Sequence, residues 1–311
     1  MNIVALFNAL PGGCAQGLIW GIMAIGVFIT YKILDLADLT VDGTMCTGGA
    51  VCVVMMMNGH SVGFSLFCAF IAGMLAGLVT GIFHTTMGIP AILAGILTQL
   101  GLYSINLRIM GNKANVALVT DKYDVLVSMR YLKNVVFYKN TLFVVAVIIA
   151  VLIVILYWFF GTELGCSIRS TGSNENMSRA QGINTDLTKI IGLMLSNGIV
   201  ALSSGLLAQY QGFADINMGR GAIVIGLAAV IIGEVLCDAF FRKGCNFSVR
   251  LSFVILGGIV YYLVMVLILW LKLDPNDLKL FTAVIVAAFL AVPYLKGQAK
   301  SSFHRLKKGD K

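Results

Sequence analysis

From Leu142 to Phe160 the chain runs 19 residues without an Asp, Glu, Lys or Arg, and from Ile190 to Ala208 it does so again for 19. At about 1.5 Å per residue each run reaches about 28 Å as a helix, close to the ~30 Å hydrocarbon core of a bilayer. A backbone at that depth must satisfy its own N–H and C=O groups, so both runs are predicted to be membrane-spanning helices. Between them lies Gly161 to Lys189, GTELGCSIRSTGSNENMSRAQGINTDLTK. This loop is polar and longer than a bare connection requires. Ser173-Asn174 followed by Glu175 reads as a helix cap, Asn176 to Gln181 continues the helix, and Gly182 ends it. The loop is therefore expected to hold a short helix lying across the cytoplasmic face.

Of the 311 residues, 59 % are hydrophobic and 12 % charged, against about 25 % charged in soluble domains. The expectation is an all-α, polytopic integral membrane protein with about nine transmembrane helices, in one domain over residues 1–295. A basic tail follows at 296–311. The first span falls within Ile3 to Thr30, with Gly12, Gly13, Gly17 and Gly21 as a small-residue stripe. In the third, Ser61 to Phe83, Gly73, Gly77 and Gly81 form a double G-x-x-x-G suited to close helix packing. Short or broken helices are expected near 31–57 and 219–236, where the apolar runs are too brief for a full crossing. The 107–140 region is read as an external loop containing β-prone fragments.

Asp35, Asp38 and Asp42 fall within eight residues just before the second apolar run. An ionised Asp facing lipid costs about 2.5–3.5 kcal/mol on insertion scales, so Asp42 is expected to face inward. It serves either as a cap on the helix starting at Gly43 or as part of a solute path. Asn197, Ser204 and Gln211 recur every seven residues and so share one face of their helix. With Thr40, Asp42, Gln209 and Glu234 they are the candidate pathway residues, although an interface stripe fits the same spacing. Glu234 is read either as a gate or as a solvated acid near Arg242 and Lys243. Gln99, Tyr103, Ser104 and Asn106 of the fourth span also carry polar groups able to line a path.

Other chemistry is thinly supported. The seven cysteines form no C-x-x-C pair and read as free, mostly buried thiols. The three histidines are too scattered for a metal site, and no G-x-x-x-x-G-K-[ST] is present. The net charge of +8 is spread over loops and tail, a pattern of anchoring to anionic lipid rather than of nucleic-acid binding. Placing the tail, the 161–189 loop and the 239–250 turn inside gives an N-out, C-in orientation. The six basic residues of the 107–140 loop run against it.

RSTGSNENMSRAQGIN, the following LSNGIVALSSGLLAQYQGF and the early DLTVDG resemble the permease subunits of ATP-binding-cassette importers of the ribose and branched-chain amino acid type. Within that family the resemblance is strongest to tryptophan/tyrosine-type uptake permeases. It implies a coupling helix that docks in a groove of the ATPase subunit, carried here by Arg169, Thr171, Gly172, Asn174, Ala180, Gly182, Ile183 and Asn184. Ser170 stands where the family usually has Ala. The resemblance also implies a permease homodimer in a bacterial cytoplasmic membrane, separate ATPase subunits holding ATP and Mg, and an extracellular solute-binding lipoprotein. The chain itself is expected to bind no cofactor or metal. The alternative is an ion-coupled secondary transporter using its membrane acids.

Overall fold

The computed structural model describes residues 3–118, 123, 125–132, 140–241 and 246–270, with scattered helical positions between 280 and 291. Its elements are α1 (Ile3–Phe28) continuing into a π-helical turn (Ile29–Ile33), α2 (Thr40–Met57), α3 (Val62–Thr85), α4 (Ala91–Ile109) and β1 (Asn115–Ala117). These are followed by α5 (Thr141–Gly161), α6 (Glu163–Ser173), α7 (Glu175–Ala180), α8 (Thr185–Gln211), β2 (Phe213–Asp215), α9 (Ala222–Phe240) and α10 (Phe247–Trp270). Eight helices among the described residues are long and apolar enough to cross a membrane. The expected ninth span, 280–295, and the tail lie largely or wholly outside the described residues.

Helix α8 is the axis of the bundle. Its 27 residues extend about 40 Å, and α1, α2 and α3 pack around it. Closeness comes from missing side chains. Gly73, Gly77 and Gly81 of α3 all lie against α8: Gly73 at Asn197 and Ala201, Gly77 at Leu193 and Met194, Gly81 at Ile190. A Cβ on Gly77 would fall 2.8 Å from the Met194 Cα, inside any tolerable contact. Gly17 and Gly21 of α1 perform the same service against Ile259 and Ile255 of α10. Hydroxyls tie the layers together, with Ser196 Oγ donating to Gly26 O and Ser203 Oγ to Ile19 O, both at 2.7 Å.

The two short helices expected from sequence are present, and both begin inside the bundle. After the π-turn the chain runs without regular structure through 34–39, and α2 starts at Thr40 beside the centre of α8. At the far end of α8, Gly212 takes a left-handed φ of 80° and turns the chain back inward through β2. Helix α9 then starts at Ala222, after Gly221 as its N-cap at φ 85°, with Gly219 packed directly on the Asp42 carbonyl. The β-prone NVALVT fragment does form a strand, but not a hairpin within its own loop: β1 pairs antiparallel with β2, Val116 opposite Ala214. The second β-prone fragment, 131–138, is mostly outside the described residues. Cys14, Cys46, Cys52, Cys68 and Cys166 are free thiols; Cys237 departs from the expectation in being disulfide-bonded.

The glycine seam gives a direct test. Gly77→Leu is expected to destabilise the detergent-solubilised protein by more than the ~1–3 kcal/mol typical of overpacking, read as a fall in thermal midpoint. Gly101→Leu, where nothing lies within 4 Å of a Cβ, should leave the midpoint unchanged.

Candidate functional site

A helix that starts inside a membrane protein exposes N–H groups that water cannot reach, and each needs an acceptor. The sequence LDLADLTVDG supplies two. Asp38, 3 % exposed, accepts from the Thr40 N–H at 2.9 Å through Oδ1. Its Oδ2 accepts from the Asn197 side-chain amide at 2.7 Å. The same amide presents its Oδ1 to the Thr44 hydroxyl, 2.7 Å away. Asp42 serves the other helix: Oδ2 accepts from Gly221 N–H and Oδ1 from Ile223 N–H, each at 3.0 Å. It therefore caps α9 across the bundle. It does not cap the helix starting at Gly43, since it already sits in the first turn of α2.

This arrangement revises the polar stripe. Thr40, Asn197, Ser204 and Gln209 are all fully buried and hydrogen-bonded between elements. The Thr40 hydroxyl meets Thr80 at 2.7 Å, which donates to Thr98 at 2.9 Å, joining α2, α3 and α4. Ser204 Oγ donates to Met45 O. Gln209 accepts from Leu126 N–H at 3.2 Å and donates to Cys52 Sγ at 3.5 Å. These residues form interfaces, the reading that the seven-residue spacing left open. Gln211 is half-buried at the end of α8. Glu234 pairs with Lys32 at 3.2 Å and lines a recess of about 90 Å³ with Asp238 and Arg250. Its expected neighbours Arg242 and Lys243 lie outside the described residues.

Asp42 also lines a cavity of about 190 Å³ together with Gln99, Tyr103, Asn106, Asn217 and Arg220. Sequence reading identified the α4 groups as possible lining but passed over Asn217 and Arg220. The signal available was a lone Arg between two Gly residues just ahead of a span.

At the opposite end of α8 lies the polar loop. It holds the expected short helix, α7, with Asn174 Oδ1 capping it through Met177 N–H at 3.0 Å and Gly182 ending it at φ 84°. Asn184 caps α8 through Leu187 N–H at 3.1 Å. Sequence reading missed α6, an 11-residue helix capped by Thr162. Arg169 is exposed on α6, its guanidinium 3.1 Å from Cys166 Sγ. Thr171 is buried and bonded to the Thr188 hydroxyl at 2.9 Å, while Gly172 lies against the Ile33 carbonyl and Leu34. Ile183 N–H donates to Ser178 O at 3.1 Å, folding the turn under α7. Ala180 ends α7 at the surface. Glu175 clasps the loop to α8 through Lys189 at 2.7 Å and to Arg179 at 3.1 Å. The hydrogen bond from Lys189, aided by the charges of Lys189 and Arg179, holds its carboxyl below the usual range.

The family of branched-chain amino acid transport system permease components matches residues 10–293. The chain belongs to this family of permeases. The permease is 39 % identical over 94 % of its length to a tyrosine transport system permease protein of Clostridioides difficile, covering 93 % of that protein. It is 31 % identical over 58 % of its length to the autoinducer 2 import system permease protein LsrC of Yersinia pestis, covering 48 % of that chain. PsaBC from Streptococcus pneumoniae, solved in complex with a Fab, shares the fold at a TM-score of 0.54 and 14 % identity, with 94 % of the permease and 95 % of that chain covered.

Two outcomes follow. Asp42→Ala leaves the Gly221 and Ile223 N–H groups unpaired inside the bundle and is expected to lower the thermal midpoint, by ~1–3 kcal/mol per orphaned group. Asp42→Asn, which keeps an acceptor oxygen, should lose less. Because the Glu175 carboxyl titrates lower in the folded loop, its contribution is present above its unfolded range and lost as pH falls through the folded value. Glu175→Gln mimics that loss, and faster amide exchange confined to α7 is the expected reading.

Proposed function

We propose that this permease is the membrane subunit of an ATP-driven importer for a small organic solute, an amino acid of the tyrosine or tryptophan kind, working by alternating access. The observation that carries this is the α6–α7 platform. Two short helices with exposed Arg169, Met177 and Ala180 are fastened to α8 by the Thr171–Thr188 hydroxyls and the Glu175–Lys189 ion pair, and to the π-turn that continues α1 by Gly172 packed on Ile33. A polar loop that served only as a connection would need no such anchoring. A rigid helix seated in the groove of an ATPase subunit would pass its movement to the bundle through those fastenings.

On this reading ATP and Mg are bound and hydrolysed by partner subunits. An extracellular binding lipoprotein selects the solute, and two copies of the permease enclose the path. The α6–α7 end faces the cytoplasm of a bacterial cell, giving the N-out, C-in topology. The tyrosine transport permease supports the substrate class through its 39 % identity. An ion-coupled carrier would need a membrane acid left open to titrate with its cargo. Asp42 is committed to the α9 N-terminus and Glu234 to Lys32, so neither favours that mechanism.

The test is co-purification. The tagged permease, extracted in mild detergent, is expected to bring down an ATPase subunit and ATP hydrolysis. Arg169→Glu and a deletion of 174–181 should lose both while remaining in the membrane. An ATPase retained by both variants would contradict the coupling role of the platform.

A further inference from the structure

The cavity beside Asp42 has features that its structural duties do not use. Asn106 is 1 % exposed, and its amide nitrogen donates to Gly43 O at 3.4 Å. Its Oδ1 is buried without a hydrogen-bond partner. A buried amide oxygen left in that state costs ~1–3 kcal/mol, so it is an acceptor waiting for a donor. On the rim of the same cavity is Arg220, exposed and without an ion pair among the described residues. Its guanidinium offers a planar fork of donors suited to a carboxylate. The Asp42 carboxyl, which lines the same cavity, is already engaged by α9.

We infer that this cavity is the contact point for the polar head of an α-amino acid during its passage, with the carboxylate on Arg220 and the ammonium on Asn106 Oδ1. A volume of about 190 Å³ is less than the ~300 Å³ at which ligand pockets begin. It therefore takes the head group, leaving the solute's side chain along the open flank where Leu100 is 65 % and Tyr103 52 % exposed. That flank is apolar and aromatic, matching a large apolar or aromatic side chain. An exposed arginine on a helix start inside the bundle does not face lipid at acceptable cost, which directs the opening toward a water-filled path. A guanidinium facing a neutral amide acceptor offers one partner to each half of a zwitterion.

This inference rests on the amino-acid importer reading, and the experiment separates the two. Uptake of radiolabelled L-tyrosine is measured in cells expressing the full chain with its ATPase and binding partners. The variants are Arg220→Gln, Arg220→Lys and Asn106→Leu, at matched membrane levels and with ATPase co-purification verified. Arg220→Gln and Asn106→Leu are expected to reduce maximal uptake about tenfold or more, the effect of losing one charge-assisted hydrogen bond, while the co-purifying ATPase keeps its basal rate. Arg220→Lys should recover part of the loss. In permease-only nanodiscs, millimolar L-tyrosine should raise the thermal midpoint of the parent, whereas tyramine and 3-(4-hydroxyphenyl)propionate, each lacking one half of the zwitterion, should not. Parental uptake in both Arg220→Gln and Asn106→Leu would overturn the site and leave the importer reading standing. A parent that couples to its ATPase yet imports no amino acid would overturn both the substrate class and the site.

Discussion

The requirement that no backbone N–H be left unpaired inside a membrane protein governs this structure. Two helices begin within the bundle, and each start is served by an aspartate from one short stretch, Asp38 for α2 and Asp42 for α9. The carboxyls lie four residues apart in sequence but point to different helices. Through Asn197, Asp38 also locks the central helix α8 to the start of α2. Removing either acid would leave N–H groups with nothing to bind. The glycine seams of α3 and α1 then fix how closely the remaining helices can approach this centre.

Around that centre the molecule divides its labour by depth. The middle holds the two helix starts and, beside them, a small polar cavity. One end holds the β1–β2 ribbon, which covers the return of the chain from α8. The other end holds the α6–α7 platform, joined to α8 by Thr171–Thr188 and Glu175–Lys189 and to α1 by Gly172 on the Ile33 carbonyl. A displacement of the platform thus reaches α1 as well as the two spans that flank it in sequence. Both α1 and α8 pack against the broken segments, so packed side chains run without a gap from the platform to the two helix starts.

What was legible in the sequence was what is local. Asn174 and Gly182 declare a cap and a stop within a few residues, and the structure places α7 accordingly; the Asn184 cap that starts α8 was not read. Charge-free runs marked the spans, and their shortness near 31–57 and 219–236 marked the broken ones. The remainder depends on partners distant in sequence. The spacing of Asn197 and Ser204 gives a helix face but not what lies across it, which is α2. Asp42 looked like a cap for its own helix because its true partner is 179 residues away. Helix α6 escaped notice because Gly165 and Gly172 weaken helix propensity, yet both are needed for close approach to Phe160 and Ile33.

The distance between Asp38 and its partner also bears on how the protein is made. Asn197 emerges 159 residues after Asp38, which at about 5–20 residues per second is a delay of roughly 8 to 32 s. The α9 amides that Asp42 accepts come later still. Throughout that interval the segment around 34–44 is without its final partners. The first broken helix must therefore wait, shallowly inserted or shielded by the insertion machinery, until the second half of the chain arrives to complete it.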